Sequence, residues 1–403
     1  MQLMKNRVHL VFLFLFAPFV IRAQTQTNDS VYTKKKLSIK EVNFVHGYYQ
    51  QSGQNAAVEG GEGDETLQDF SNVISVSLLK GDAKGREHTF TAKVGVDYYS
   101  SASSDQIDPR TISGASSADV RVYPSFSWNV YNEEKRREFG ANLALSTEYD
   151  YISSGFGFSL GGHSKDKNTN WVLRGQTYID QWSLIYPIEL RGREELSRSD
   201  RSSFSGSFVV SRVLTKRLQV ALMADYVYQS GLLSTPYHRF YFANSNMATL
   251  EKLPEQRSKF PVGVRLNYFL GDRIIVKTWA RYYSDNWGLK ASTAQIELPF
   301  KLTSFMSVYP FYRYYDQQGI KYFFEKSVLE QGTSEFYTSD FDLSSFRSDF
   351  YGIGFRWAPP DGFIKSDWAK LKLGQIGIRY GHYQRSTGLQ SDIISFQFKI
   401  VPI

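Results

Sequence analysis

The chain of 403 residues is 42% hydrophobic and 16% aromatic, and it carries a formal net charge of +7. It contains no cysteine, which excludes disulfides, thiolate metal sites and a cysteine nucleophile. Its mean hydropathy of -0.37 is too polar for a helical membrane protein. Basic and acidic residues are mixed along the sequence, which predicts no nucleic-acid partner.

The N-terminus has the three parts of an export signal. Lys5 and Arg7 precede an apolar run over residues 8–21, and a small residue follows at the cleavage position. The run is shorter than the roughly 20 residues of a membrane-spanning helix, so we expect cleavage rather than a retained anchor. The sequence thus predicts a signal peptide over residues 1–23 and a polar periplasmic leader over residues 24–36.

From residue 37 onward, apolar and polar residues alternate in segments that are long for β-strands. In the clearest segment, Phe126 and Trp128 share one face, and Arg121 and Ser125 share the other. Such alternation indicates strands with one apolar and one polar side. The predicted strands of this half cover residues 38–50, 71–79, 89–99, 120–130, 139–150, 155–162, 171–180 and 204–210.

The second half continues the same pattern, with two strands flanking a tight turn at 271–273. Pro124, Pro299 and Pro310 fall inside strand patterns, and proline cannot donate to a ladder. They mark either bulges and strand ends or boundaries that are misplaced by a few residues. The remaining predicted strands cover residues 218–226, 291–300, 306–315, 350–357, 374–383 and 393–400.

Short turns alternate with long loops, such as those at 230–258 and 316–346. A soluble sandwich or propeller would show similar strands, but this alternation and the strand lengths favour a membrane barrel. We predict an all-β, transmembrane, antiparallel up-and-down β-barrel of about sixteen strands, in a range of 14–18, over residues 37–403. Such a barrel belongs in the cell outer membrane, with both termini periplasmic.

Charged residues on the polar faces would line the inside of this barrel. Their basic excess hints at an interior that favours anions, and a solvated or salt-bridged wall without selectivity is the alternative. The basic residues are Lys93, Arg121, Arg174, Arg265, Lys277, Arg281, Arg313, Arg356, Arg379 and Lys399. The acidic residues are Asp97, Glu148, Asp150, Asp225 and Glu297.

Motifs for catalysis are missing from the sequence. Of 6 histidines only His238 falls in a long outer loop, and neither a Gly-x-Ser-x-Gly elbow nor metal-ligand spacing occurs. We expect no enzyme, no metal and no cofactor; a hydrolytic pair of His238 with a distant aspartate is the alternative. Asp105, Asp108 and Asp119 could hold Ca²⁺, but their spacing matches no fixed Ca²⁺ loop, so the ordinary polarity of a solvated loop is the better explanation. The aromatic loop at 335–349 either folds inward as a constriction or contacts a partner.

Residues 98–128 combine an S-S-A-S motif with a later S-G-A-S and a D-V-R motif. This stretch, together with residues 236–242, resembles a bacterial outer-membrane β-barrel family of unknown function, the domain of unknown function 3570. The resemblance extends over nearly all of the mature chain. It implies an exported barrel of Gram-negative bacteria such as Bacteroidota, without an established activity or cofactor. The genes that accompany the family imply a role in envelope redox chemistry or electron export.

Two functions are therefore expected. The first is a pore or transport channel with a polar, mildly basic lumen. The second is a non-conducting barrel that scaffolds a surface or periplasmic protein, and an outer-membrane hydrolase is a third reading. The expected partners are outer-membrane lipid and the barrel-assembly machinery. This machinery typically recognises a terminal aromatic residue as the insertion signal, and Phe398 would serve here because the last residue is Ile403.

Overall fold

The computed structural model describes residues 36–55, 65–100, 103–104, 119–184, 186, 198–235, 238–245 and 247–403. The predicted signal peptide and the predicted leader up to residue 35 lie outside these residues, so both stay predictions. Within this part of the chain, no helix is long and apolar enough to cross a bilayer.

Sixteen long strands follow one another along the chain, each matching one predicted segment. They are β1 Ser38–Gly53, β2 Glu65–Gly81, β3 Arg86–Tyr99, β4 Asp119–Asn132, β5 Arg137–Thr147, β6 Tyr151–His163, β7 Thr169–Ser183, β8 Arg198–Thr215, β9 Leu218–Gly231, β10 Gln256–Leu270, β11 Ile274–Asp285, β12 Lys290–Glu297, β13 Met306–Gln318, β14 Phe346–Trp357, β15 Leu371–Arg385 and β16 Leu389–Pro402.

Every strand pairs antiparallel with the next one in sequence, and the last pairs with the first. The closing ladder between β1 and β16 runs from the pair Val42 and Ile400 to the pair Gly53 and Leu389. Closure removes the two exposed sheet edges that an open sheet would present. The protein is therefore a closed antiparallel barrel of sixteen strands, which confirms the predicted fold.

The connections divide the barrel into two ends. The turn end carries both barrel termini and short turns such as 82–85 and 216–217, but also the longer connection at 358–370. The loop end carries the long connections, among them 232–255 and 319–345. This division reproduces the predicted alternation, apart from three short connections at the loop end, which follow β5, β11 and β15.

The outer face of the barrel is apolar. Phe126 on β4 is 47% exposed, and its ladder neighbours on the same face are Ala92 and Leu143. Similar exposed side chains occur near the middle of the other strands, for example Ile74, Phe156, Phe208, Leu222, Val262, Tyr312 and Ile353. A continuous band of exposed apolar side chains is unfavourable in water and is the surface that lipid requires.

The opposite face is polar and concave. Asn142 on β5 donates to Gln176 on β7 at 3.0 Å, so the two side chains meet across β6. They meet above Gly157 of β6, where an added Cβ would collide with both side chains. Contacts that skip a strand form where side chains converge, which is the inside of a cylinder. The polar face is therefore the inner wall.

The three prolines that fall inside predicted strands lie where the pairing of the sheet is interrupted. Pro124 lies in β4, where pairing with β5 is interrupted at Tyr123 and Pro124. Pro299 falls in the gap between β12 and the two-residue strand Phe300–Lys301, and Pro310 lies opposite that gap on β13. Because proline lacks the N–H that a ladder needs, each tolerates its position only where pairing is broken.

The long connections at the loop end form a small folded cap, defined here as the described residues of 238–255 and 319–345. The short strands Arg239–Tyr241 and Ala248–Leu250 pair as a hairpin. The backbones of Lys252 and Tyr337 exchange two hydrogen bonds, which join the two connections. Buried apolar side chains fill the cap and the adjoining turn of β11, namely Phe240, Phe242, Leu253, Trp287, Leu289, Ile320 and Leu329.

Candidate functional site: the inner wall

The fifteen charged residues selected from the sequence lie in or next to the barrel strands. Thirteen occupy strand positions that alternate with the exposed apolar side chains and belong to the polar face. Glu148 and Asp150 lie just beyond the end of β5, in its connection to β6. The set therefore faces the interior or its loop-end rim.

Some of these charges are paired. Lys277 Nζ lies 3.0 Å from Glu297 Oε1, and Arg121 Nε lies 3.4 Å from Glu148 Oε1. Asp97 accepts a hydrogen bond from Tyr123 at 2.9 Å. Pairing offsets part of the desolvation cost of charges that line a protein wall.

Other charges meet solvent. Lys93, Arg174, Arg265 and Arg356 are exposed although they occupy inner-wall positions. A cavity of about 460 Å³ lies beside Arg265, Lys277 and Glu297. Exposed cations on the inside of a closed barrel mean that water reaches the wall at these points.

The structure adds inner charges that the sequence analysis missed. Most lie at or beyond the predicted strand ends, and following the two-residue alternation further along each strand would have found them. They are Glu41, Asp69, Asp119, Asp180, Arg201, Arg257, Lys259, Asp285 and Arg385. Of these, Arg201 pairs with Asp180 at 2.8 Å and Arg257 with Asp285 at 2.5 Å.

The charges are unevenly distributed around the wall. Apart from the turn-end rim, the inner positions of β10–β16 carry ten basic side chains against the carboxylates Asp285 and Glu297. The basic ones are Arg257, Lys259, Arg265, Lys277, Arg281, Arg313, Arg356, Arg379, Arg385 and Lys399. We call this half of the barrel the basic wall. On the wall of β4–β8, Arg174 is instead surrounded by small neutral groups, including Ser127, Asn129, Asn142, Ser159, Ser205 and Ser207.

At the loop end, the turn Phe341–Leu343 lies against the inner wall. Gln317 on β13 donates to the backbone oxygens of Asp342 at 2.9 Å and Ser344 at 2.6 Å. Arg385 on β15 lies 2.5 Å from the Asp342 carboxylate. Gln317 and Arg385 are only 5% and 4% exposed. The aromatic loop thus folds inward here and covers part of the mouth.

Arg385 also contacts the chain near the loop end of β1, where the barrel closes. Arg385 donates to the backbone oxygen of Asn55, which lies two residues beyond the loop end of β1. Asn55 in turn donates to the backbone oxygen of Thr387 at 2.8 Å. The end of β15, the start of the β1 loop and the inward turn are therefore tied together by one buried guanidinium.

Among the residues that the structure describes, no hydrogen bond joins His238 to an aspartate, as the alternative hydrolytic pair would require. Its Nε2 lies 3.1 Å from Ser339 Oγ, which itself donates to the backbone oxygen of Arg239. The imidazole is therefore the donor to this serine, the reverse of what a general base requires. Burial lowers the pKa of His238 to about 4, and its Nδ1 has no hydrogen-bond partner within the described chain.

Two carboxyl groups of the cap are buried as well. Glu251 accepts hydrogen bonds from the backbone of Thr235 and from Thr338 Oγ1, the latter at 2.5 Å. Burial raises the pKa of Glu251 to about 7 and that of Asp340 to about 7. Both groups fix the loops of the cap, and within the described part of the chain neither is hydrogen-bonded to the His238 imidazole.

The calcium candidates are not brought together by the described chain. Asp119 accepts from the backbone N–H of Val120 at 2.6 Å, as a carboxylate at a loop margin often does. Asp105 and Asp108 lie outside the described residues. No group of three or more possible metal ligands occurs among the residues that the structure describes.

A closed antiparallel barrel with an apolar outside and a polar inside defines the class of transmembrane β-barrels. The chain belongs to the family described as a protein of unknown function (DUF3570), whose model matches residues 13–362. This membership agrees with the resemblance of residues 98–128.

Solved structures of similar fold include three outer-membrane proteins. A BenF-like porin from Pseudomonas fluorescens has 8% identity and a TM-score of 0.40, with 90% of this chain and 98% of that chain covered. A bacterial polysaccharide outer membrane secretin has 10% identity and a TM-score of 0.41, with 89% and 97% covered. An outer membrane channel from Pseudomonas putida has 12% identity and a TM-score of 0.36, with 68% and 98% covered. No curated protein matches the chain.

Proposed function

We propose that this protein is an outer-membrane pore for small polar solutes, with a mildly basic lumen and no enzymatic activity. The observation that carries the proposal is the exposure of Lys93, Arg174, Arg265 and Arg356 on the inside of a closed barrel. A barrel of sixteen strands is wide enough for an aqueous channel unless loops fill it. Solvent at these cations indicates that the wall is wet along several strands.

The apolar outer band supports the outer-membrane location. The loop end would face the outside of the cell and the turn end, with both termini, the periplasm, as in bacterial barrels with short periplasmic turns. In this arrangement the barrel-assembly machinery and outer-membrane lipid are the partners. The cap would then stand on the cell surface.

The basic wall supports an anion preference. Charges fixed at a wall bias ion entry through the local potential, and the bias weakens as salt shortens the screening length to about 3 Å at 1 M. The test is the reversal potential of the reconstituted barrel across a chloride salt gradient. We expect preference for the anion, and a smaller preference in Arg121→Ala combined with Arg313→Ala. Cation preference in the unmodified barrel would contradict the proposal.

A second candidate is a non-conducting barrel that holds a surface or periplasmic protein, including one that serves envelope redox chemistry. The inward turn Phe341–Leu343 favours it, because this turn covers part of the mouth. Planar-bilayer recordings distinguish the two functions. Defined conductance steps support the pore, and their absence from a correctly folded barrel supports the scaffold.

A further inference from the structure

Two arginines of the basic wall are stacked on two phenylalanine rings. The guanidinium carbon of Arg379 lies 3.8 Å from the centroid of Phe311, and that of Arg313 lies 4.8 Å from the centroid of Phe350. The two rings contact each other, with centroids 5.1 Å apart. These four side chains, which we call the arginine shelf, form one connected surface on β13, β14 and β15.

The wall beneath the shelf has room for the rings only because it contains glycine. A Cβ added at Gly381 would lie 2.6 Å from Phe350, and one at Gly352 would lie 2.8 Å from Phe311. Real side chains do not approach so closely, so any larger residue would displace the rings. Phe311 is 4% exposed because Arg379 covers it. The shelf is therefore a packed structure rather than a group of loose side chains.

Stacking leaves the hydrogen-bonding edges of the guanidinium groups available. When a guanidinium stacks on a ring, the ring contacts one flat face of the guanidinium, and the N–H groups lie in the guanidinium plane and stay free to donate. No carboxylate pairs with Arg313 among the described residues. The carboxylate nearest to Arg379 is Glu297, at 3.9 Å, and the other oxygen of that carboxylate lies 3.0 Å from Lys277. Two planar donor forks thus lack a close acceptor within the described wall.

We infer that the arginine shelf is a binding site for the carboxylate groups of small organic acids. A carboxylate matches a guanidinium fork with two parallel hydrogen bonds, which a spherical halide cannot form. The surrounding basic wall raises the local concentration of anions, and the shelf adds the geometry that selects among them. The inference deepens the proposed pore, because it names a solute class that the lumen would take.

The test uses the whole barrel in detergent micelles and isothermal titration calorimetry with succinate. Its neutral analogue succinamide and chloride at the same ionic strength serve as ligand controls. Arg313→Lys and Arg379→Lys keep the charge but remove the fork, so each should weaken succinate binding by about tenfold, or about 1.4 kcal/mol. The matched control is Arg174→Lys, which changes an exposed inner arginine outside the basic wall and should alter binding less than about twofold.

Heat-modifiable electrophoretic mobility shows whether each variant is folded, and Arg313→Gln provides a second variant at the central position. The inference is overturned if succinate binds no better than chloride, or if folded Arg313→Lys binds succinate as the unmodified barrel does. Binding in detergent does not require conduction. A barrel that binds succinate but shows no conductance steps would therefore refute the proposed pore and leave the shelf intact.

Discussion

The substitution Phe126→Arg tests the inside and outside of the barrel most directly. Phe126 lies at the middle of β4 on the apolar face and is 47% exposed. A phenylalanine side chain has a total surface of roughly 200 Å², so the exposed part that contacts lipid is about 90 Å². At roughly 25 cal/mol per Å², removing that contact costs about 2 kcal/mol. An arginine near the bilayer midplane costs about 2–4 kcal/mol more. The total loss of folding free energy is therefore about 4–6 kcal/mol.

The matched control is Ser125→Arg, one residue earlier on the same strand. Ser125 pairs with Lys93 and Ala144 on the inner wall, so its arginine would meet water rather than lipid. The assay is urea unfolding of the barrel refolded into phospholipid vesicles, followed by its heat-modifiable mobility. We expect at least about 3 kcal/mol between the two variants. An equal loss at both positions would refute the assignment of the two faces.

Three further outcomes are expected. Burial raises the pKa of Glu251 to about 7, so the stability that the protonated carboxyl group contributes is lost as pH rises from about 4.5 through 7. Glutamine resembles the protonated carboxyl group at every pH. Glu251→Gln should therefore slow amide hydrogen exchange in the cap by roughly 100-fold at pH 8 and have no effect at pH 4. Asp342→Asn should loosen the inward turn and raise single-channel conductance, whereas Asp316→Asn, which removes an exposed pair on the outer face, should not. Because the chain has no cysteine, a membrane-impermeant thiol reagent on intact cells should label Gln331→Cys and not Lys84→Cys, and the reverse labelling would invert the topology.

The fold could be predicted because a barrel repeats one local rule. Alternation in segments such as 120–130 sets the two faces of each strand independently of its neighbours, so sixteen strands could be counted without knowing their pairing. The ends of the strands were harder to predict from the sequence. The predicted strands 71–79 and 204–210 begin after Asp69 and Arg201, because charged residues interrupt the apolar alternation near the rims. As a result, the inner carboxylates and arginines at those ends were missed.

The arginine shelf could not be predicted from alternation. Phe311 and Phe350 are apolar residues on a polar face, and only the glycines of neighbouring strands explain how they fit there. The inward position of Phe341–Leu343 is likewise a tertiary event. Its aromatic content allowed two outcomes, and the partners that decide between them, Gln317 and Arg385, come from different strands.

The bonds of Arg385 have a consequence for the order in which the molecule is built. Its guanidinium contacts both the connection that follows β1 and the turn that precedes β14. In the finished barrel, β16 pairs with β15 on one side and with β1 on the other. If β16 paired with β1 before the turn Phe341–Leu343 docked, the turn would have to enter the lumen through the loop end of a closed barrel. The simpler sequence is that the turn docks on the growing sheet and the last hairpin then seals around it, so that Arg385 completes its contacts only when the cylinder does.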